Sequence, residues 1–400
     1  MEMRAPGKRN LNPAAEFASV AALAFLTLCD LFAAQAILPA LTHAYGTSPA
    51  MMSFAVNAST IGMAAGGLAI AIVGGRINLR RGIVASLAIL TVPTLALSLL
   101  PPLQIFTILR ILQGICMSTA FGLTLAYLGE RVAMGGPAAF AAYVTGNVAS
   151  NLIGRLVATG VASHFGLTAA FVVLASLNIA GAVLASQVIA AGERRSASAI
   201  VMSRTAREIA AHLRDPHLLS GFGIGYCILF AFIGTFTFVN FVLVRSPLSL
   251  GMMQVGFAYF VFLPAIFTTP MAGAAERRIG TRPALWAGLI VALLGLPLLL
   301  QPHLPAVLLG MVLVSIGTFF AQAIATGYVN RTAQADRGPA SGIYLASYFA
   351  GGLAGSIVLG QLFDRLGWGA CVAGIAGAIL TAAALAITTE IRPAQAAVAQ

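Results

Sequence analysis

Charge is scarce in this 400-residue sequence: 22 Lys and Arg with 11 Asp and Glu make 8% of the chain. A soluble domain carries roughly 25%. Beside 59% hydrophobic residues and a mean hydropathy of +0.94, the shortage excludes a soluble globular protein, a disordered chain and a nucleic-acid-binding domain. Lysine is reduced to Lys8, outside every long apolar run, which excludes a Schiff-base photoreceptor. The five histidines (His43, His164, His212, His217, His303) fall between those runs, so no buried imidazole relay is built. HExxH, GxSxG and P-loop patterns are missing, and with them metalloprotease, serine-hydrolase and ATP-driven chemistry. The chain reads as no enzyme and no metal protein. Cys29, Cys116, Cys227 and Cys371 have neither disulfide nor metal spacing and lie inside apolar runs, as small buried hydrophobes do.

What the sequence has instead is long apolar runs. Twelve are readable: 17–41, 50–73, 83–100, 104–128, 138–162, 168–191, 220–243, 251–273, 284–301, 305–328, 340–362 and 368–389. About 20 apolar residues span the hydrocarbon as a helix, and only helices or closed barrels satisfy the backbone there. The expected class is an all-α membrane protein of twelve transmembrane helices. Residues 1–40 imitate a secretory signal, but the apolar stretch is too long and eleven more follow, so it reads as an uncleaved first helix. Of the 22 basic residues, 18 fall on the amino-terminal side of alternating loops, among them Lys8, Arg76, Arg80, Arg81, Arg277 and Arg331. Arg245 and Arg365 lie on the other side, and Arg110 and Arg155 inside spans. The bias places both termini in the cytoplasm of a cell-membrane protein. The net charge of +11 is thereby a topology signal and not a nucleic-acid signal.

The chain repeats itself. A shift of 201 residues lays Met51-Met52 on Met252-Met253, Arg76 on Arg277, Tyr143 on Tyr344, Gly154 on Gly355 and Gly166 on Gly367. The longest polar stretch separates the halves. The expected organisation is a tail (1–16), a six-helix bundle (17–191), a cytoplasmic linker (192–219), a second, pseudo-symmetric six-helix bundle (220–389) and a tail (390–400).

Parallel six-helix repeats are one plan of secondary transporters, with the substrate near the midplane between the halves. Leu109-Arg110-Ile111-Leu112-Gln113-Gly114 resembles the fourth-helix motif of the major facilitator superfamily. The segment from Arg331 through Gly338-Pro339-Ala340-Ser341-Gly342 to Tyr344 is similar to the helix 10–11 connection of its drug:proton antiporter-1 branch. So is the stretch from Gly351-Gly352-Leu353-Ala354-Gly355 to Asp364-Arg365-Leu366-Gly367-Trp368. The resemblance covers almost the whole chain. It implies alternating access, proton coupling in which Arg110 takes part, and export by antiport. One motif departs. The family's helix 2–3 loop reads Gly-x-x-x-Asp-Arg-x-Gly-Arg-Arg. Here Gly74-Gly75-Arg76-Ile77-Asn78-Leu79-Arg80-Arg81 keeps the basic end, loses the acid and puts Leu79 at the turn glycine. Arg76, Arg80 and Arg81 are the gating-loop candidates. Glu276-Arg277-Arg278-Ile279-Gly280 in the second half keeps the glycine, with an acid one place early.

An ionisable group at mid-span costs about 2.5–3.5 kcal/mol on insertion scales, so each needs a partner, water or a function. Asp30 is the one carboxylate deep in a span and the expected proton carrier, sheltered where the two bundles meet. Arg110 and Arg155 have three readings: pairing with Asp30, holding an anionic substrate, or snorkelling to the interface. On helix 5, Tyr143, Asn147, Asn151 and Arg155 recur every four residues and share a face; Gly146, Ser150 and Gly154 form a neighbouring small-residue face. Helix 11 repeats this with Tyr344, Tyr348, Gly352 and Ser356 beside Ser347, Gly351 and Gly355. Substrate-lining candidates are Gln35, Gln113, Tyr143, Asn147, Asn151, Arg155, Phe236, Asn240, Gln322, Tyr344 and Tyr348; proton-coupling candidates are Asp30 and Arg110. The same residues also suit plain interhelical hydrogen bonding.

The expected function is secondary active transport of a small organic or drug-like compound, by proton-coupled efflux. The alternatives are proton-coupled uptake of a small anionic or zwitterionic metabolite, and a non-transporting sensor on the same fold. No cofactor is called for, the proton gradient being the energy source. The expected partners are a small-molecule substrate and the lipid bilayer, with the chain acting as a monomer.

Overall fold

Proline, glycine and side-chain caps divide the apolar runs into helices. The computed structural model describes residues 13–73, 77–133, 137–189, 210–333 and 337–389, and among these there is no strand. Span α1 comprises Pro13–Ala36 and Leu38–Tyr45; α2 comprises Pro49–Asn57 and Ser59–Val73. Next come α3 (Leu79–Leu97) and α4 (Leu103–Ala133). Helix Pro137–Val188 is interrupted at Gly166, where φ is 85° and ψ 171°. Its two parts, 137–165 and 167–188, are α5 and α6. The second half holds α7 (Pro216–Val244), α8 (Met252–Ile279, broken by short 3-10 turns), α9 (Thr281–Leu300), α10 (Leu304–Thr332), α11 (Arg337–Leu366) and α12 (Trp368–Leu385).

Eleven of the described helices are long and apolar enough to cross a membrane, counting Gly146–Val188 as one of 43 residues. At 1.5 Å per residue that stretch is about 65 Å long, twice the hydrocarbon thickness. The break at Gly166 makes it two crossings, and the twelve-helix fold follows. Gly367, 201 residues on, joins α11 to α12 with φ 82° and ψ −174°. Both turns need a backbone conformation open to glycine.

The repeat extends to packing. A Cβ on Gly154 of α5 would sit 3.1 Å from Cys29 Sγ of α1; on Gly355 of α11 it would sit 2.6 Å from the Phe230 carbonyl of α7. Each number of the second pair is the first plus 201. The small-residue faces thus let α5 lie on α1 and α11 lie on α7. Large apolar side chains such as Val92, Phe267, Leu300 and Leu366 point outward, as lipid-facing residues do. The halves meet along α2–α11 and α5–α8. At the end where α1 stops and α2 starts, the Ala50 N–H lies 3.3 Å from both Asp364 oxygens, and Phe238 stacks on Phe363. There too, a Cβ on Gly256 of α8 would meet Thr159 of α5.

Candidate functional site

Two helix breaks set up the site. Pro39 lacks the N–H that would bond the Gln35 carbonyl four residues back, and α1 is interrupted at Ile37. The freed Gln35 carbonyl accepts from Asn240 Nδ2 of α7 at 3.0 Å. In α2 the helix stops at Asn57 and restarts at Ser59, and the Val56 carbonyl there accepts from Arg110 Nε at 2.8 Å. Each break hands a backbone acceptor to a side chain on another span.

Asp30 is 1% exposed. Its Oδ2 accepts from Thr94 Oγ1 of α3 (2.7 Å), Asn178 Nδ2 of α6 (2.8 Å) and Gln113 Nε2 of α4 (3.2 Å). Its Oδ1 has no partner among the described residues. Arg110 does not form an ion pair with this carboxylate. Its NH1 donates to Gln113 Oε1 (2.7 Å) and to the Asp30 backbone carbonyl (3.2 Å), and its NH2 to Ser59 Oγ (3.1 Å). Gln113 is therefore a relay: its carbonyl faces the guanidinium and its amide nitrogen faces the acid. Every partner of Asp30 lies in the first half. The expectation that the acid sits where the bundles meet is corrected, because the polar residues of α3, α4 and α6 turn it into their own bundle.

The second network does cross between halves. Arg155 NH2 donates to Gln35 Oε1 at 2.7 Å, and Gln35 Nε2 donates to Asn57 Oδ1 at 2.8 Å. Asn57 Nδ2 lies 3.4 Å from Thr237 Oγ1 on α7. The Arg155 guanidinium stacks on the Tyr259 ring, 4.2 Å from its centroid, with Phe262 at 5.5 Å and Phe32 at 5.7 Å. The Tyr259 hydroxyl donates to Asn240 Oδ1 at 2.6 Å, which fixes the ring. Arg155 has no measurable exposure, so the snorkelling reading is corrected. The cation–π face replaces the water that snorkelling would have reached.

Between the halves lies a cavity with about 560 Å³ of non-atom space, open solvent included. Asn147 and Asn151 of α5, Gln322 of α10 and Tyr348 of α11 line it, beside an aromatic wall of Phe32, Phe232, Phe319 and Phe349. Asp30 is not among its lining residues.

The other expected residues fall behind these surfaces. Phe236 packs on Phe232 and Phe262, each at 4.7 Å. Tyr344 stacks on Tyr348 and its hydroxyl accepts from Thr326 at 3.2 Å. Arg80 donates to the Ser186 carbonyl at the end of α6, and the Arg81 N–H bonds the capping Asn78 side chain at 3.0 Å. Arg76 and the side chain of Tyr143 lie outside the described residues. In the second half, the early acid Glu276 accepts from both Arg331 and Thr281, tying α8 to α10. The sequence reading missed Thr94, Asn178, Asn57, Ser59 and Tyr259. The first three are polar residues in apolar runs, a signal that marks them but names no partner.

A family model, Major Facilitator Superfamily, matches residues 20–263 and 246–399. The inner membrane transport protein YnfM of Escherichia coli (strain K12) is 26% identical, over 91% of this chain and 87% of its own length. The MFS-type transporter YybF of Bacillus subtilis (strain 168) is 24% identical, over 87% and 86%. A solved structure of the nucleoside transporter NupG overlays with a TM-score of 0.74 at 13% identity, covering 95% of this chain and all of that one; it speaks for the fold alone. Two six-span halves with a cavity between them, matched along nearly their whole length, make this chain a multi-pass membrane transporter, and no enzyme, of the major facilitator superfamily.

Proposed function

We propose that this protein exports a small organic compound across the cytoplasmic membrane in exchange for protons, as a monomer without a bound cofactor and with both termini inside. The observation that supports this most is the setting of Asp30. A buried carboxylate answered only by neutral donors can change its charge without breaking an ion pair. When Asp30 is ionised, Oδ2 holds Thr94, Asn178 and Gln113. Protonation weakens Oδ2 as an acceptor and releases the Gln113 amide. Gln113 then holds Arg110 differently, and Arg110 is bonded to the Val56 carbonyl at the break in α2. Asn57, next along the chain, belongs to the Gln35–Arg155 network that joins the halves. The charge on Asp30 is thus linked by contact to an interface that must open for substrate to leave.

In this reading the end closed by Asp364, Phe363 and the Arg155 network faces outward. Asp30 is sealed here, so proton uptake belongs to the state in which that end opens. One charge crossing 100 mV supplies about 2.3 kcal/mol, enough for modest concentrative export. The test is flux in proteoliposomes under an imposed pH gradient. Asp30→Asn is expected to abolish gradient-driven accumulation while leaving downhill exchange. Undiminished accumulation in this variant overturns the coupling role.

A further inference from the structure

Asp30, Arg110 and Arg155 are the buried ionisable charges of the described spans. Asp30 and Arg110 offset one another through Gln113. Arg155 is left over. Its NH2 has the Gln35 amide oxygen, but its Nε and NH1 have no hydrogen-bond partner among the described residues. Three N–H groups of a guanidinium with no measurable exposure are therefore unused. An aromatic face offsets part of the cost of a buried cation, whereas an uncompensated one costs several kcal/mol. One turn along α5, Asn151 lines the cavity, and its Oδ1 is also buried without a partner. Phe32 belongs both to the cavity wall and to the Arg155 cage. An unused acceptor thus lies on the aromatic-walled cavity, and the unused donors of Arg155, which is not itself among the lining residues, lie one turn further along α5 beside the shared Phe32.

Resting on the transport reading above, we propose that the substrate is an aromatic monocarboxylate carrying a hydroxyl or amino donor. Its carboxylate completes Arg155, its donor bonds Asn151, and its ring lies against Phe32, Phe232 and Phe319. The role asked of the protein is recognition, with no bond made or broken.

The test is equilibrium binding of radiolabelled 4-hydroxybenzoate to the full-length purified protein, with benzoate, 4-hydroxybenzyl alcohol and 4-hydroxybenzylamine as competitors. Saturable binding is expected, displaced by benzoate and not by the alcohol or the amine. Arg155→Gln is expected to weaken binding by roughly 30-fold or more, as loss of one partner of a buried charged pair does. Arg155→Lys, which keeps the charge, recovers part of it. Asn151→Leu narrows the preference for 4-hydroxybenzoate over benzoate. A purely structural Arg155 would lower the melting temperature without changing which charge type competes. Absence of carboxylate binding, equal binding by a monodisperse Arg155→Gln protein, or displacement by the amine overturns the proposal. Carboxylate binding without gradient-driven flux leaves this site standing and removes the transport reading. Asp30-dependent flux of the amine alone does the reverse.

Discussion

The two halves share a frame and differ in what fills it. Gly166 and Gly367 make the same turn, and Gly154 meets Cys29 as Gly355 meets Phe230. Move the Asp30 network forward by 201 residues, however, and every polar member is gone. Asp30 becomes Ala231, Thr94 becomes Gly295, Arg110 becomes Met311, Gln113 becomes Val314 and Asn178 becomes Ile379. All five replacements are buried. The second half also packs α9 on α10 closely there, with a Cβ on Gly295 reaching 2.7 Å from the Gly310 carbonyl. A repeated scaffold thus carries one charged site and one apolar copy of it. Among the described residues the first half holds the buried charges, and the second supplies Asn240, Thr237 and Tyr259 to the network between them.

The hardest test of this asymmetry is to charge the apolar copy. Met311→Arg places a guanidinium where the described structure offers neither an acid nor an amide. Insertion scales put the cost at about 3 kcal/mol, and overpacking of a fully buried site adds to it. Loss of the monodisperse folded species on size-exclusion is the expected result. Adding Ala231→Asp should recover only part, because the Thr94, Gln113 and Asn178 equivalents are still missing. Full tolerance of Met311→Arg alone would show that the second half hides a polar site.

A milder exchange trades single residues between the copies. Asn178→Ile removes the amide that holds Asp30 Oδ2 at 2.8 Å and Thr94 Oγ1 at 3.0 Å. The cost should be about 1–3 kcal/mol, read as a lower thermal midpoint. Gradient-driven flux should fall further than downhill exchange. If both fluxes fall equally, Asn178 only supports the fold and does not tune the acid.

Much of this architecture was legible in the sequence. Long apolar runs and the shift of 201 residues fixed the spans and the repeat, and Gly166 and Gly367 marked the α5–α6 and α11–α12 turns. Asp30, Arg110, Gln113 and Arg155 stood out because a polar group in an apolar run is costly enough to need a reason. Their pairing was not legible. Asp30 meets Asn178 across 148 residues and Arg155 meets Gln35 across 120, and the rotation of each helix decides such contacts. No periodicity within one span reports that rotation relative to another. The same gap put Asp30 at the seam in expectation and inside the first bundle in fact. The breaks at Ile37 and Asn57 were harder still. Pro39 signals the first, but the α2 break carries no proline, and its consequence, a free Val56 carbonyl, shows only once Arg110 is seen to take it.

The smallest contrast concerns the missing turn glycine. In the second half, Gly280 enters α9 with φ 89° and ψ 164°, a region essentially restricted to glycine. Its counterpart by the repeat is Leu79, which cannot hold that conformation. The first half solves the problem differently. Asn78, extended at φ −64° and ψ 116°, caps α3 through its side chain, which accepts the Arg81 N–H. Leu79 is then simply the first helical residue. Two chemistries start equivalent helices, and they should fail by different amounts. Asn78→Ala removes one cap bond and should cost about 1 kcal/mol. Gly280→Ala forces a Cβ into strained backbone and should cost about 1–3 kcal/mol. Asn78→Gly should recover most of the first loss, because glycine is a tolerable cap, whereas Gly280→Asn should recover little. Thermal midpoints of the four variants decide the matter. Equal losses at both positions would mean that the two turns are held by contacts elsewhere and not by their own backbone.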